Sequence, residues 1–252
     1  MRGHLRSLKI TGSFKDMTVT VSLTLAQETE FFNQTIKDRV YEEIMTVVDI
    51  INATGGSHNK DTYRSLLSRY SKESSGQILT GGRHTPFIYL FPVSPLTSFL
   101  IKPYHCPLSQ IANHYVSVSE TNSIYRNYLF DFEKKKLRIL FADVFGLGTF
   151  SIEQKTIPFI IQRYSTGTKL TEIQSAEGRH FIAFLPQISK HLAKQGIIID
   201  PYNQNWFIHG FSLDRRSIEH ELLEYVDLAY MHSLETNHQV KAVTDSLMPL
   251  DF

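Results

Sequence analysis

The chain of 252 residues has one cysteine, Cys106, so it cannot form an internal disulfide and a reducing compartment is expected. It has no run of 18 apolar residues, which leaves no candidate for a membrane-crossing helix. Its first residues, Met1-Arg-Gly-His-Leu-Arg-Ser-Leu-Lys9, lack the apolar core of a secretory signal. The chain is therefore expected in the cytoplasm, with secretion by a route that needs no such peptide left open. Neither charge is in excess: 26 basic and 25 acidic side chains give a formal net charge of +1. Bulk electrostatics thus give no reason to expect a nucleic-acid or membrane partner. No segment repeats, and no tract is of low complexity. None of the 11 histidines forms a His-x-x-x-His pair or a Cys-His cluster, so zinc is not expected. Ser165-Thr-Gly-Thr168 lacks the Gly-Lys-Ser/Thr that would complete a phosphate loop. Lys134-Lys-Lys136 reads as a solvated turn before a strand.

Hydrophobic residues make up 42% of the chain, enough for a core and against global disorder. Leu8–Ile10 and Met17–Leu25 read as a hairpin, with Gly12–Asp16 as its turn. From about Gln27 to Asn52 the period becomes helical, through Phe31, Ile36, Val40, Ile44, Val47, Val48 and Ile51. Ala53–Asn59 breaks that helix, Asp61 caps a short one, and Ser71–Gly76 reads as a linker. Strands are expected at Gln77–Thr80, Pro86–Phe91, Thr97–Tyr104, Lys136–Val144 and Pro158–Tyr164. Helices are expected from about Pro107 to Phe130 and over Phe181–Gln195. A strand at Trp206–Phe211, a polar turn at Ser212–Ser217 and a returning strand at Leu222–Leu228 follow. The tail from Tyr230 is polar.

Chemistry concentrates after Gly196. The apolar run Ile197-Ile-Ile199 delivers Asp200, Asn205 follows five residues on, and Tyr225-Val226 delivers Asp227. An Asp and an Asn on one loop, plus an Asp arriving on an adjacent strand, would converge on one point. Such hard oxygen ligands suit magnesium beside phosphates. Alone, Asp200-Pro201 and Asn205 are also what an ordinary turn contains.

In this order the residues resemble the protein-kinase-like superfamily over about 76–230. Ser98-Phe-Leu-Ile-Lys102-Pro103 resembles the strand that carries the phosphate-contacting lysine. Glu120 has the separation expected of the glutamate that pairs with it, although Glu133 is a competing acid. Pro158–Leu170 resembles the strand and connection where adenine meets backbone groups, and His180–Gln195 the helix before the catalytic loop. Gly81-Gly82 stands where a glycine loop would cover the phosphates, but the fuller Gly-x-Gly-x-x-Gly is missing. Ile198-Ile199 replaces His-Arg before the catalytic Asp, and Leu228-Ala229 replaces Phe-Gly after the magnesium Asp. Only 25 residues follow Asp227, so the helical platform for peptide substrates is expected to be short, as in the minimal kinases of bacterial effectors and small regulatory kinase-like proteins.

The resemblance implies an α+β, two-lobed kinase-like fold with a truncated C-terminal lobe and an N-terminal α/β extension. The expected domains are 1–75 (extension), 76–164 (N-lobe) and 165–252 (short C-lobe). It implies ATP and Mg2+ as cofactors, with catalytic Asp200, Lys102 and Glu120. Gly81, Gly82, Lys102, Gln162, Arg163 and Tyr164 would bind the nucleotide, and Asn205 and Asp227 the metal. It implies transfer to a protein hydroxyl, with a protein substrate or regulatory protein partner; a small-molecule acceptor is also compatible. The alternatives are a pseudokinase-type nucleotide-binding or protein-interaction module, and an unrelated α+β domain with accidental matches. The oligomeric state is left open.

Overall fold

A computed structural model describes residues 8–14, 17–26, 32–55, 61–63, 76–81, 84–95, 97–125, 129–132, 135–152, 155–173, 176–199, 202–209, 220–226, 232–233, 241, 244 and 247. The protein is mixed α and β. It forms two compact units. The first gathers Met1–Ala112, Val144–Tyr164 and Val240–Phe252; the second gathers Asn113–Asp143 and Ser165–Gln239. One border falls between Tyr164 and Ser165. The segment 1–75, expected as a separate extension, instead shares its unit with the residues that follow it.

The first unit is built on a seven-stranded antiparallel sheet. In spatial order its strands are β1 (Leu8–Phe14), β2 (Met17–Leu25), β8 (Val144–Ile152), β9 (Lys155–Arg163), β5 (Thr97–Pro103), β4 (Phe87–Ser94) and β3 (Gln77–Thr80). The expected turn at Gly12–Asp16 is narrower, because β1 pairs through Phe14, which faces Met17. Strand β8, Val144-Phe-Gly-Leu-Gly-Thr-Phe-Ser-Ile152, has no counterpart among the expected strands, and two glycines weaken its local strand preference. The reason lies in packing: a Cβ at Gly148 would overlap the Phe159 ring, which stacks on Phe150 with centroids 4.2 Å apart.

Helix α1 (Gln34–Thr54) covers the face of this sheet that carries Phe91, Phe99, Ile101, Phe159 and Ile161. It begins seven residues later than expected because Asn33 caps it, its side chain accepting from the N–H of Ile36 at 3.1 Å. Phe32, just before the cap, stacks on Phe145 with centroids 4.8 Å apart. Val40, Ile44, Val47, Val48 and Ile51 are buried, each stabilising by roughly 1.5–3 kcal/mol relative to an exposed position. A polar contact crosses this interface: buried Glu43 accepts from the Tyr89 hydroxyl of β4 and pairs with Arg39 one turn earlier.

The second unit holds a five-stranded sheet of β10 (Thr168–Lys169), β12 (Trp206–His209), β13 (His220–Tyr225), β7 (Lys135–Phe141) and β6 (Leu129–Phe132). Its β13 and β7 run parallel and the other pairs antiparallel. The run expected as one strand at 136–144 is therefore divided between β7 here and β8 in the first unit. Helix α2 (Leu108–Tyr125) ends earlier than expected, and β6 follows it. Helix α3 (Ala176–Lys194) starts earlier than its apolar period suggested. Gly196, at φ 77°, then turns the chain into the short β11 (Ile197–Ile198), which pairs with β14 (His232–Ser233). Among the described residues, no helix is long and apolar enough to cross a membrane.

Candidate functional site

The expected site residues fall in both units. In the first, Lys102 near the end of β5 faces Ile160 of β9, and Leu100 faces Gln162. Opposed residues share a sheet face, so Lys102 and Gln162 are diagonal neighbours on one face. The Lys102 Nζ donates to Gln162 Oε1 at 2.9 Å. Both side chains are more than nine-tenths buried, at 8% and 1% exposure. A buried ammonium costs free energy unless it is solvated by the protein, and Gln162 supplies part of that solvation. Thr149, buried on the same face, donates from Oγ1 to the Leu247 carbonyl at 3.3 Å.

The residues expected to bind the base lie at the end of β9. Gln162 pairs with Leu100 on one side and Val144 on the other. The Tyr164 N–H donates to the Ser98 carbonyl at 2.9 Å. Sheet hydrogen bonding therefore occupies much of the Gln162–Tyr164 backbone. Among the described residues, the Tyr164 carbonyl and the backbone groups of Ser165 and Thr166 make no hydrogen bond. Arg163 and Tyr164 point exposed side chains outward. Gly81 sits at the end of β3, where an added Cβ would overlap the Thr85 carbonyl, so its turn alone demands glycine. Gly82 lies outside the described residues.

In the second unit, Tyr202 to Asn205 lead into β12 through a single 3-10 turn over Asn203–Asn205. The Asn205 N–H donates to the Tyr202 carbonyl at 3.0 Å, and its own carbonyl accepts from the Val226 N–H at 2.9 Å. That second bond extends the β12–β13 pairing one step beyond Trp206 and Tyr225. It sets Asn205 beside the residue that precedes Asp227. Asn205 is 7% exposed, and among the described residues its Nδ2 has no partner. Trp206 and Tyr225 lie fully buried beneath, their ring centroids 5.0 Å apart. Asp200 and Asp227 lie outside the described residues. Glu120 belongs to α2, and the placement of its side chain is likewise outside what is described.

One cluster had no signal in the sequence. His209 on β12 and Glu224 on β13 are diagonal neighbours, and His209 Nε2 lies 2.6 Å from Glu224 Oε2. The same nitrogen lies 3.3 Å from the hydroxyl of buried Ser165. That hydroxyl accepts from the Gly167 N–H at 3.4 Å. These residues are 44 and 15 positions apart, and only the strand register reveals their meeting. A carboxylate 2.6 Å away requires Nε2 to carry a hydrogen. That nitrogen cannot then take the Ser165 proton, so this is not a nucleophile–base–acid relay.

Other reactive groups are damped. Burial pushes the Cys106 thiol up to about 11 and the Tyr115 phenol up to about 12, so Cys106 is no thiolate nucleophile near neutral pH. Among the described residues, no three His, Cys, Asp or Glu gather as a metal site. No family model matches the chain, and no curated protein matches it.

Proposed function

We propose that the chain is a compact kinase-like phosphotransferase that uses Mg-ATP, with a protein hydroxyl as its acceptor. In this reading the fold is two-lobed, with a short C-terminal lobe. The observation that carries it is the hydrogen bond from Val226 to the Asn205 carbonyl. It sets a buried, unpartnered amide next to the chain that leads into Asp227. An Asn after the catalytic Asp and an Asp closing the next hairpin are the magnesium ligands of kinase-type transfer. A second support is Lys102, on the third strand of the β3–β4–β5 run, with α2 and its Glu120 following directly. Kinases carry the phosphate lysine on the third strand and its glutamate on the next helix.

The donor set fits magnesium. One end of the Asn205 amide lacks a protein partner, and amide nitrogen and oxygen exchange places by a half-turn of the group. Asn205 and Asp227 would hold the ion, which when bound neutralises phosphate charge. Lys102 would contact the phosphates. Asp200 would orient the acceptor hydroxyl and take its proton. The Tyr164 carbonyl and the backbone groups of Ser165 and Thr166, without a hydrogen bond among the described residues, would take the edge of the base.

The test is thermal stabilisation by ATP with and without magnesium, then transfer of labelled phosphate to the protein itself or to lysate proteins. Magnesium-dependent stabilisation with transfer supports the reading. Binding without transfer supports a regulatory nucleotide-binding module instead. No stabilisation of the wild type, with Asp227→Ala melting identically, rejects both.

A further inference from the structure

We propose that His209 and Glu224 are positioning residues for nucleobase recognition, acting through the Ser165–Gly167 turn; this rests on the nucleotide-binding reading above. The bond between Nε2–H of His209 and the Glu224 carboxylate is short and charge-assisted on one side, which fixes the plane of the imidazole. The ring then presents the same hydrogen to Ser165 Oγ, which is its second, longer acceptor. Ser165 Oγ in turn accepts from the Gly167 N–H and closes a tight side-chain turn. Gly167 permits the approach: a Cβ there would lie 2.8 Å from the Ile208 carbonyl oxygen and 3.1 Å from His209 Nε2.

The chain stays anchored beyond the turn. Thr168 and Lys169 pair with Ile208 and Phe207, and the Lys169 ammonium lies 5.9 Å from the centre of the Phe207 ring. The β12–β13 hairpin thus holds the segment at Ser165, Thr168 and Lys169. Among the described residues, the backbone groups at Ser165 and Thr166 have no hydrogen-bond partner while the segment itself is held. A turn pinned through buried Ser165, with Thr166 exposed beside it, presents backbone donors and acceptors; that suits a planar heterocycle edge, which needs neighbouring donor and acceptor groups in one plane. Rigidity here lowers the ordering cost of binding.

The test compares wild type with His209→Gln and Glu224→Gln, using two probes: Mg-ATP, and magnesium tripolyphosphate, which has the phosphates and no base. Loss of one charge-assisted contact predicts Mg-ATP affinity weaker by roughly three- to tenfold. Tripolyphosphate affinity is expected to be unchanged, and kcat at saturating ATP to match wild type while KM for ATP rises. Affinities for both probes falling together, or neither falling, overturns the positioning role. Wild-type protein that binds neither probe overturns the nucleotide reading itself and the inference with it. Ser165→Ala offers a second variant with intact hairpin side chains, and the same selective loss of ATP is expected.

Discussion

Val226 donates its backbone N–H to the carbonyl of Asn205 across 2.9 Å, while the Asn205 side chain is buried with its Nδ2 unpartnered. The backbone of Asn205 is bonded, and among the described residues the Nδ2 end of its side-chain amide is not. A buried amide lacking a partner costs about 1–3 kcal/mol. Such a cost is tolerated where the group has a ligand to meet.

Asn205→Leu separates those two sides. The substitution keeps the shape and removes the unsatisfied donor, so the ligand-free protein is expected to gain about 1 kcal/mol. Stabilisation by Mg-ATP is expected to vanish. Urea unfolding gives the first quantity and melting with Mg-ATP the second. A loss of ligand-free stability above about 2 kcal/mol would mark the amide as structural instead.

Lys102 and Gln162 form a buried pair whose members depend on each other. Gln162→Leu removes an acceptor from a charged group, at an expected cost of about 1.5–3 kcal/mol. Lys102→Met removes the ammonium that donates to Gln162 Oε1 and is expected to abolish phosphate transfer. The double variant is expected to be more stable than the sum of the two singles predicts, with a coupling of roughly 1–2 kcal/mol. Simple additivity in urea unfolding would show that the contact contributes nothing.

Much of this arrangement was legible. The strands around Lys102, the α1 core face and the hairpin between Asn205 and Tyr225 follow from period and turn chemistry. What escaped had physical reasons. Strand β8 hides behind glycines that an aromatic ring requires. Phe141 and Val144 stand close in the chain yet belong to strands of different sheets, and local pattern cannot choose a strand's partner. The start of α3 precedes its first buried apolar residue, Phe181. The Ser165, His209 and Glu224 cluster depends on cross-strand register, which no spacing along the chain encodes.

Gly81 tests whether a glycine expected over phosphates is held by local structure. A Cβ there would overlap the Thr85 carbonyl, a backbone atom with little freedom to move. Gly81→Ala is expected to cost roughly 1–3 kcal/mol without any ligand present. A full loss of ATP affinity with unchanged ligand-free melting would instead assign Gly81 to the nucleotide alone.

Cys106 gives a pH signature independent of the proposed activity. Burial raises its thiol from 9.0 to about 11 in the folded protein. The unfolded chain therefore releases this proton first as pH rises. The contribution of Cys106 is fully present below about pH 9 and is lost progressively as pH climbs to about 11. Relative to Cys106→Ser, the wild type is expected to hold a constant stability difference up to about pH 9 and to lose ground above it. Alkylation by iodoacetamide is expected to be slow near pH 8 against a free thiol, because only the thiolate reacts. A stability difference that stays flat through pH 11, or alkylation as fast as that of a free thiol, would place Cys106 in a more solvated setting than its burial implies.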